Sequence, residues 1–337
     1  MQWKALALAI CATGVLSFTG VTARSAEPVK LRIGWVVPGA DSPFLLYGKT
    51  GITKHEGTSY ILDGVHFNGT PPMITALAAG EIDLVPFAYS SFALAVENAH
   101  MSDLRIIADV FQDGVPGYYT NPELVLKDGP IKTIADLKGH VLASNVTGSA
   151  VDMAVRAMLI KHHINPTHDV TFVEAPFPNM KAELLEHKID LMTGVVPFSY
   201  DPSLLAVAHP LFTQKDAIGR SQMLILAGRA AFLKAHRAAV VDYLEDELRA
   251  LRWFITPANH DEAVKLLATF SKQPAARYQS WVFTHGDYYR DPSGKPDLAA
   301  LQENVSLQHK LGFLKSDLSV KKYADLGLVE EAARRIK

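Results

Sequence analysis

The sequence predicts an α/β protein of two lobes, each a mixed sheet flanked by helices, with a ligand cleft between the lobes and a helical C-terminal tail. Three observations predict it. A fifteen-residue segment occurs twice, at Thr70–Leu84 (TPPMITALAAGEIDL) and Phe177–Leu191 (FPNMKAELLEHKIDL), offset by 107 residues. Residues 122–212 alternate short strands with helices, as an α/β unit does. From Ala230 onward nearly every segment reads as helix.

The duplication carries the most weight. Aligned without gaps, Pro71, Met73, Leu77, Ile82, Asp83 and Leu84 meet Pro178, Met180, Leu184, Ile189, Asp190 and Leu191. Met73 and Leu77 are four apart and share a helix face. The Ile-Asp-Leu that follows reads as a short buried strand. A Pro-Phe-x-Tyr tetrad comes next in both copies, Pro86–Tyr89 and Pro197–Tyr200. The offset is of domain size, too long for a solenoid repeat.

In chain order, residues 1–26 read as a cleavable export leader. Lys4 supplies the positive start, Ala5–Val21 is uncharged and mostly apolar, and small residues stand at Ala23, Ser25 and Ala26. The apolar run is short for a retained membrane span. The only cysteine of the chain, Cys11, falls inside this leader, preceded by Ile10 and not by a small residue, so lipidation is not expected. The processed chain then has no disulfide, no thiol nucleophile and no thiolate metal ligand. Its net charge moves from −2 to −4 with loss of Lys4 and Arg24, and no basic tract suggests nucleic acid.

Val29–Val37 alternates as a first strand. Pro38–Pro43 is a turn-rich loop, with Ser42-Pro43 placed to start a helix. Tyr60–Phe67 is a second strand, and Asn68–Pro72 starts the first copy of the repeat helix. Strand Ile82–Val85, a loop to Ser91, helix Phe92–Asn98 and strand Leu104–Phe111 follow. The Gly/Pro-rich stretch Gln112–Tyr119 is a crossover between lobes. The first lobe is therefore expected over 29–115 and 216–337, and the second over 116–215. Within the second, Leu124–Leu126, Val141–Ala143 and Val170–Glu174 are strands, Ile131–Gly139 a short helix and Ala150–His162 a longer one. Gln222–Leu226 returns as a strand to the starting lobe. Helices at Ala238–Phe254, Asp261–Phe270, Leu298–Lys310 and Leu326–Ile336 pack outside it, and Asp287–Pro296 is loop.

Ligands of open α/β sheets sit beyond the carboxyl ends of strands. The loop Asn145, Val146, Thr147, Gly148 and Ser149 joins such an end to a helix start, where free amides and hydroxyls bind anions. Plain helix capping is the competing role. In the other lobe Tyr89, Ser90 and Ser91 hold the matching place. Phe87, Tyr89, Phe177, Phe198 and Tyr200 would add aromatic walls, or else belong to the core. Asp41 and Asp201 would oppose an anion or hold the ammonium of a zwitterion. Gly48-Lys49-Thr50 imitates a phosphate loop, but eight residues separate its glycines where four are needed. The 13 histidines show no ligand spacing, so no metal is expected. No cofactor motif is present either.

With these pieces placed, the chain resembles the periplasmic substrate-binding proteins of ABC importers, in the branch of nitrate, taurine, alkanesulfonate and thiamine-precursor binders. The resemblance is carried by LRIGW (31–35), ALAAGEID (76–83), IKTIADLKG (131–139), TGS (147–149) and DLSVKKYADLGLVEEAARRI (317–336). It implies a type II-like binding-protein fold, hinged lobes and a ligand closed between them. Asp41, Ser42, Gly69 and Thr70 would join Tyr89–Ser91 and 145–149 around that ligand. It further implies delivery to a membrane permease by a monomeric periplasmic protein. The aromatic loops depart from a small polar pocket and point to an organic anion, an aromatic or medium-chain carboxylate ahead of a sulfonate. The same fold also resembles pyrimidine-precursor synthases and desulfinases. Those enzymes depend on cysteine or a reactive lysine, and absence of cysteine disfavours that alternative.

Overall fold

A computed structural model describes residues 27–41, 49 and 51–336. The proposed leader, residues 1–26, and the expected helix start at Ser42-Pro43 lie outside the described residues.

The first sheet is built from β1 (Val29–Trp35), β2 (Tyr60–His66), β3 (Leu84–Ala88), β4 (Leu104–Asp113) and β10 (Ser221–Arg229), in the order β2-β1-β3-β10-β4. β1 runs parallel to β2 and β3, and β10 antiparallel to β3 and β4. The second set comprises β5 (Pro122–Leu126), β6 (Val141–Ser144), β7 (Thr171–Glu174), β8 (Met192–Thr193) and β9 (Ala208–Thr213). β8-β5-β9 form one ladder and β6-β7 another. A parallel bridge between Leu142 and Leu191 joins the two. The joined order, β7-β6-β8-β5-β9, reproduces that of the first sheet strand for strand. The chain passes from one sheet to the other twice, through 114–121 and through 214–220.

The repeated aspartate explains why the motif recurs. Asp83 N–H donates to the Arg32 carbonyl at 2.8 Å, and its carboxylate accepts the Arg32 amide at 3.0 Å. Asp190 does the same to Val141, at 2.7 and 2.9 Å. In each lobe this one residue pins the segment after the repeat helix to the equivalent neighbouring strand, β1 in the first and β6 in the second. A basic side chain backs each carboxylate, the Arg32 guanidinium against Asp83 and the His140 ring against Asp190 at 2.9 Å. The repeat helices are α1 (Pro71–Ala78) and α4 (Phe177–Leu185), both with Pro in the first turn, where a missing N–H costs no bond.

Beyond the aspartate the copies diverge. In the first, Pro86, Phe87 and Ala88 continue as β3, because β10 supplies antiparallel partners for them. The expected loop to Ser91 is therefore strand followed directly by helix α2 (Tyr89–Glu97). In the second, the counterpart strand β8 lasts only two residues, paired with β5 over Glu123 and Leu124, and Phe198–Tyr200 forms a 3₁₀ turn. The helix expected over 131–139 is likewise only the 3₁₀ turn Ile134–Leu137, closed by a Thr133–Asp136 capping box. Helix α3 (Ala150–Lys161) stands where predicted. Short helices α5 (Pro202–Val207) and α6 (Gln214–Ile218) flank β9, and α7 (Ala230–Ala235) follows β10. The tail consists of α8 (Arg237–Phe254), α9 (His260–Ser271), α10 (Leu298–Lys310) and α11 (Gly327–Arg335), with a largely irregular stretch before α10. No described helix is long and apolar enough to cross a membrane.

A largely buried polar network fastens the two crossovers. Asp113 accepts from Thr120 Oγ1 at 2.6 Å and from the Asn121 amide at 3.0 Å. Asn121 Nδ2 donates to Gln214 Oε1, and Gln214 Nε2 donates to Ser221 Oγ. Burial raises the Asp113 carboxyl to about 6 and pushes that of Glu123 well up. Asp41 is also raised to about 6 by burial, against the pull of the Val36 and Val37 amides. An unfolded Asp titrates at about 3.9. Groups with folded values above that contribute stability in the protonated form, complete below the unfolded value and lost as pH rises through the folded one. The melting temperature is therefore expected to fall between pH 5 and pH 8. Asp113→Asn, whose amide can still accept from Asn121 and donate to Thr120, should flatten that slope. Calorimetric scans across this range check it, and a melting temperature rising from pH 5 to 8 would contradict it.

Candidate functional site

Between the two sheets lies an almost wholly apolar cavity of about 60 Å³ in water-accommodating space, room for roughly four to six waters. Its walls come from both lobes. The first lobe supplies Val36, Val37 and Asp41 after β1, Gly69 and Thr70 before α1, and Ala88 at the end of β3. Phe111, Met223 and Leu224 enter from the two strands nearest the crossovers. The second lobe supplies Asn145, Ser149, the first turn of α3, Phe177, Val195 and Val196. Tyr288 of the tail closes one side, stacked on Phe111 at 4.2 Å. Its hydroxyl donates to Asn121 Oδ1 at 2.5 Å, so the wall is bonded to the crossover network.

The lobes touch beside this cavity. Asn145 Nδ2 donates to the Asn68 carbonyl at 2.9 Å, from one lobe to the other. A Cβ on Gly69 would lie 2.8 Å from Asn145 Nδ2 and 2.9 Å from Val146 Cγ2. Any side chain here would force Asn145 and Val146 to shift. Asn145 Oδ1, buried at the same place, has no partner among the described residues.

The residues expected to bind ligand divide into groups. Asp41, Gly69, Thr70, Asn145, Ser149 and Phe177 do line the cavity. Asp41 turns its carboxylate on its own loop, accepting from the amides of Val36 and, at 3.0 Å, Val37. Arg290, fixed to the Gly39 carbonyl at 2.7 Å, also draws on its charge. Thr70 Oγ1 shares a hydrogen bond with Ser91 Oγ at 2.7 Å. Ser42 lies outside the described residues.

Other expectations need correction. The amides of Thr147 and Gly148 are not open to an anion. Glu174 accepts from the first at 2.7 Å and Asp152 from the second at 2.9 Å. Ser149 caps α3 by accepting from the Asp152 amide. What remains at this helix start are the Ala150 and Val151 amides, for which the helix itself supplies no partner and no backbone bond is made among the described residues. Phe87, Ser90 and Ser91 are core residues off the cavity, because β3 and the first turn of α2 run through the interior where a loop was expected. Phe198 packs beyond the cavity wall.

Tyr89 and Tyr200 are not aromatic walls. Each uses its hydroxyl to reach the opposite lobe. Tyr89, 1% exposed, donates to the Ala150 carbonyl at 2.9 Å. Tyr200 donates to the Gly286 carbonyl at 2.8 Å and stacks on Trp281 at 5.5 Å. The paired tyrosines of the duplicated tetrad thus tie lobe to lobe in opposite senses. Asp201 is engaged as well, ion-paired to Lys181 at 2.7 Å and capping α5, which depresses its carboxyl below the usual range.

Phe111, Met223, Leu224 and Tyr288 were missed in the sequence. The first three look like ordinary strand residues. Tyr288-Tyr289, in the only loop-like stretch of a helical tail, was the available signal for the fourth. As to metals, His55, Asp242 and Glu245 place ligand atoms within 4.8 Å of one another. Both carboxylates are already engaged by arginines, Arg335 on Asp242 and Arg249 on Glu245.

Two lobes of equivalent strand order, crossed twice by the chain and closed on a cavity at their strand ends, define the fold of the periplasmic solute-binding proteins. Residues 24–268, well over half of the chain, match the model of the NMT1-like family, and the chain belongs to that family. Among solved structures, the alkanesulfonate-binding protein SsuA from Xanthomonas axonopodis pv. citri, bound to MOPS, is similar at 20% identity and TM-score 0.69, over 89% of this chain and 99% of that one. The periplasmic nitrate-binding protein NrtA from Synechocystis PCC 6803 is similar at 15% identity and TM-score 0.73, over 92% and 90%. The desulfurization enzyme DszB is similar at 13% identity and TM-score 0.64, over 92% and 100%. No curated protein matches the chain in sequence.

Because Ser149 is a cap, Ser149→Ala should cost about 1 kcal/mol of folding stability. Thr147→Ala, at an exposed side chain, should stay within about 0.5 kcal/mol. Urea unfolding of both variants measures this; equal stabilities would contradict the capping role.

Proposed function

We propose that the protein is an extracytoplasmic solute-binding protein that captures a small organic acid between its lobes and hands it to the permease of an ABC importer. In this reading residues 1–26 are removed on export to the periplasm, the lobes are 29–115 with 216–337 and 116–215, and the protein acts as a monomer. The observation that carries it is the cavity itself. It is apolar, lies where both lobes meet, and is lined by Ala150 and Val151, whose amides at the start of α3 take no backbone partner among the described residues. An anion there gains roughly 0.3–1 kcal/mol from the helix terminus, up to ~2 kcal/mol when partly buried.

The walls argue for an apolar body behind that acid group. Phe111, Phe177, Tyr288, Met223 and the valines offer little to a bare polar anion, and no lysine or arginine is among them. The space suits a ring the size of benzoate or a short aliphatic chain. Ligand contact with both lobes favours the closed arrangement, which is how such a protein signals occupancy. The fold is shared with DszB, so catalysis is the second reading. Against it, the chain has no cysteine besides Cys11, in the leader.

Calorimetric titration with benzoate, hexanoate, taurine and nitrate tests the proposal. The carboxylates should bind tightest, with no product formed on prolonged incubation. Phe177→Ala should weaken benzoate about tenfold, from lost ring contact and apolar burial. Tightest binding of nitrate or taurine would overturn the ligand class, and turnover would overturn the transport role.

A further inference from the structure

A second, larger cavity of about 430 Å³ lies against the first. Three features place the two side by side. Phe177 lines both. Val37 and Val196 line the inner cavity while their chain neighbours Pro38 and Pro197 line the outer one. Like the inner cavity, the outer one is bounded by both lobes.

The chemistry of the two differs. The inner cavity has no cationic wall. The outer one has Lys181 and Arg277 against a single acid, Asp201. Asp201 is paired to Lys181, so the charge of Arg277 is left over. Arg277 holds Gln273 Oε1 through Nη1 at a long 3.3 Å, and its guanidinium lies 5.6 Å from the centre of the Phe198 ring. Its Nε–H, although buried, has no hydrogen-bond partner among the described residues. A buried donor of a charged group left unpaired is costly, and a carboxylate is its natural acceptor.

We propose that the outer cavity is a second anion subsite, with Arg277 its recognition group, and that the preferred ligand is an elongated organic dianion with an apolar middle. One carboxylate lies at the start of α3, the body passes Phe177, and the second carboxylate meets Arg277. The proposal rests on the organic-acid reading above and adds the second charge. Arg277 then determines specificity between mono- and dicarboxylates without taking part in holding the first acid group.

Terephthalate and benzoate, titrated calorimetrically into the full chain, serve as probes. The wild type should prefer terephthalate. Arg277→Gln should lower terephthalate affinity about tenfold or more, the weight of a charged hydrogen bond, and leave benzoate within about twofold. Lys181→Met, which uncovers Asp201 in the outer cavity, should also weaken terephthalate selectively. Unchanged benzoate binding serves as the check that the variants are folded. If benzoate binds but terephthalate does not gain over it, or if Arg277→Gln weakens both equally, the second subsite is overturned while the organic-acid reading stands. If neither binds, both fall.

Discussion

The arrangement depends on how closely the lobes approach at Gly69. A single Cβ there would stand 2.8 Å from Asn145 Nδ2 and 2.9 Å from Val146 Cγ2, so with any side chain at this position those groups, or the lobes that carry them, must move apart. That approach aligns the Asn145–Asn68 bond and seals one edge of the inner cavity. It also sets the distance across which Tyr89 and Tyr200 reach carbonyls of the opposite lobe. Each such bond contributes only about 1 kcal/mol net. Closure is thus a balance that ligand contacts on both walls can tip.

The fold was legible in the sequence because local rules governed it. The Ile-Asp-Leu repeat is a local device: one aspartate holding a neighbouring strand by two backbone bonds, used once per lobe. Strand alternation in β1, the proline-started repeat helices and the helical tail needed no knowledge of distant partners. Boundaries failed where pairing decided them. β3 ran on through Pro86–Ala88 because β10 lay alongside, and β8 stopped after two residues because β5 pairs with it only over Glu123 and Leu124.

The site was less legible, and the reason is physical. Loops at strand ends were placed correctly for Asp41, Gly69, Thr70, Asn145 and Ser149, since topology alone puts them there. What those groups do depends on partners far away in the chain. Thr147 looked like an anion donor until Glu174, 27 residues on, filled its amide. Tyr89 and Tyr200 looked like ligand walls, but a tyrosine offers both a ring and a hydroxyl. Only the fold shows that the hydroxyl crosses the cleft. Phe111 and Tyr288 are separated by most of the chain, so their stacking left no sequence trace.

The most direct test of the account is to put the missing side chain back. Gly69→Ala, examined by small-angle scattering and calorimetry with a bound organic acid, should leave the free protein folded, its melting temperature lowered by no more than the loss of those few cross-lobe bonds. It should also hold the lobes apart and weaken the acid markedly, because the walls no longer meet around it. Wild-type affinity, with the same ligand-induced compaction as wild type, would contradict the claim that contact at Gly69 governs closure and binding.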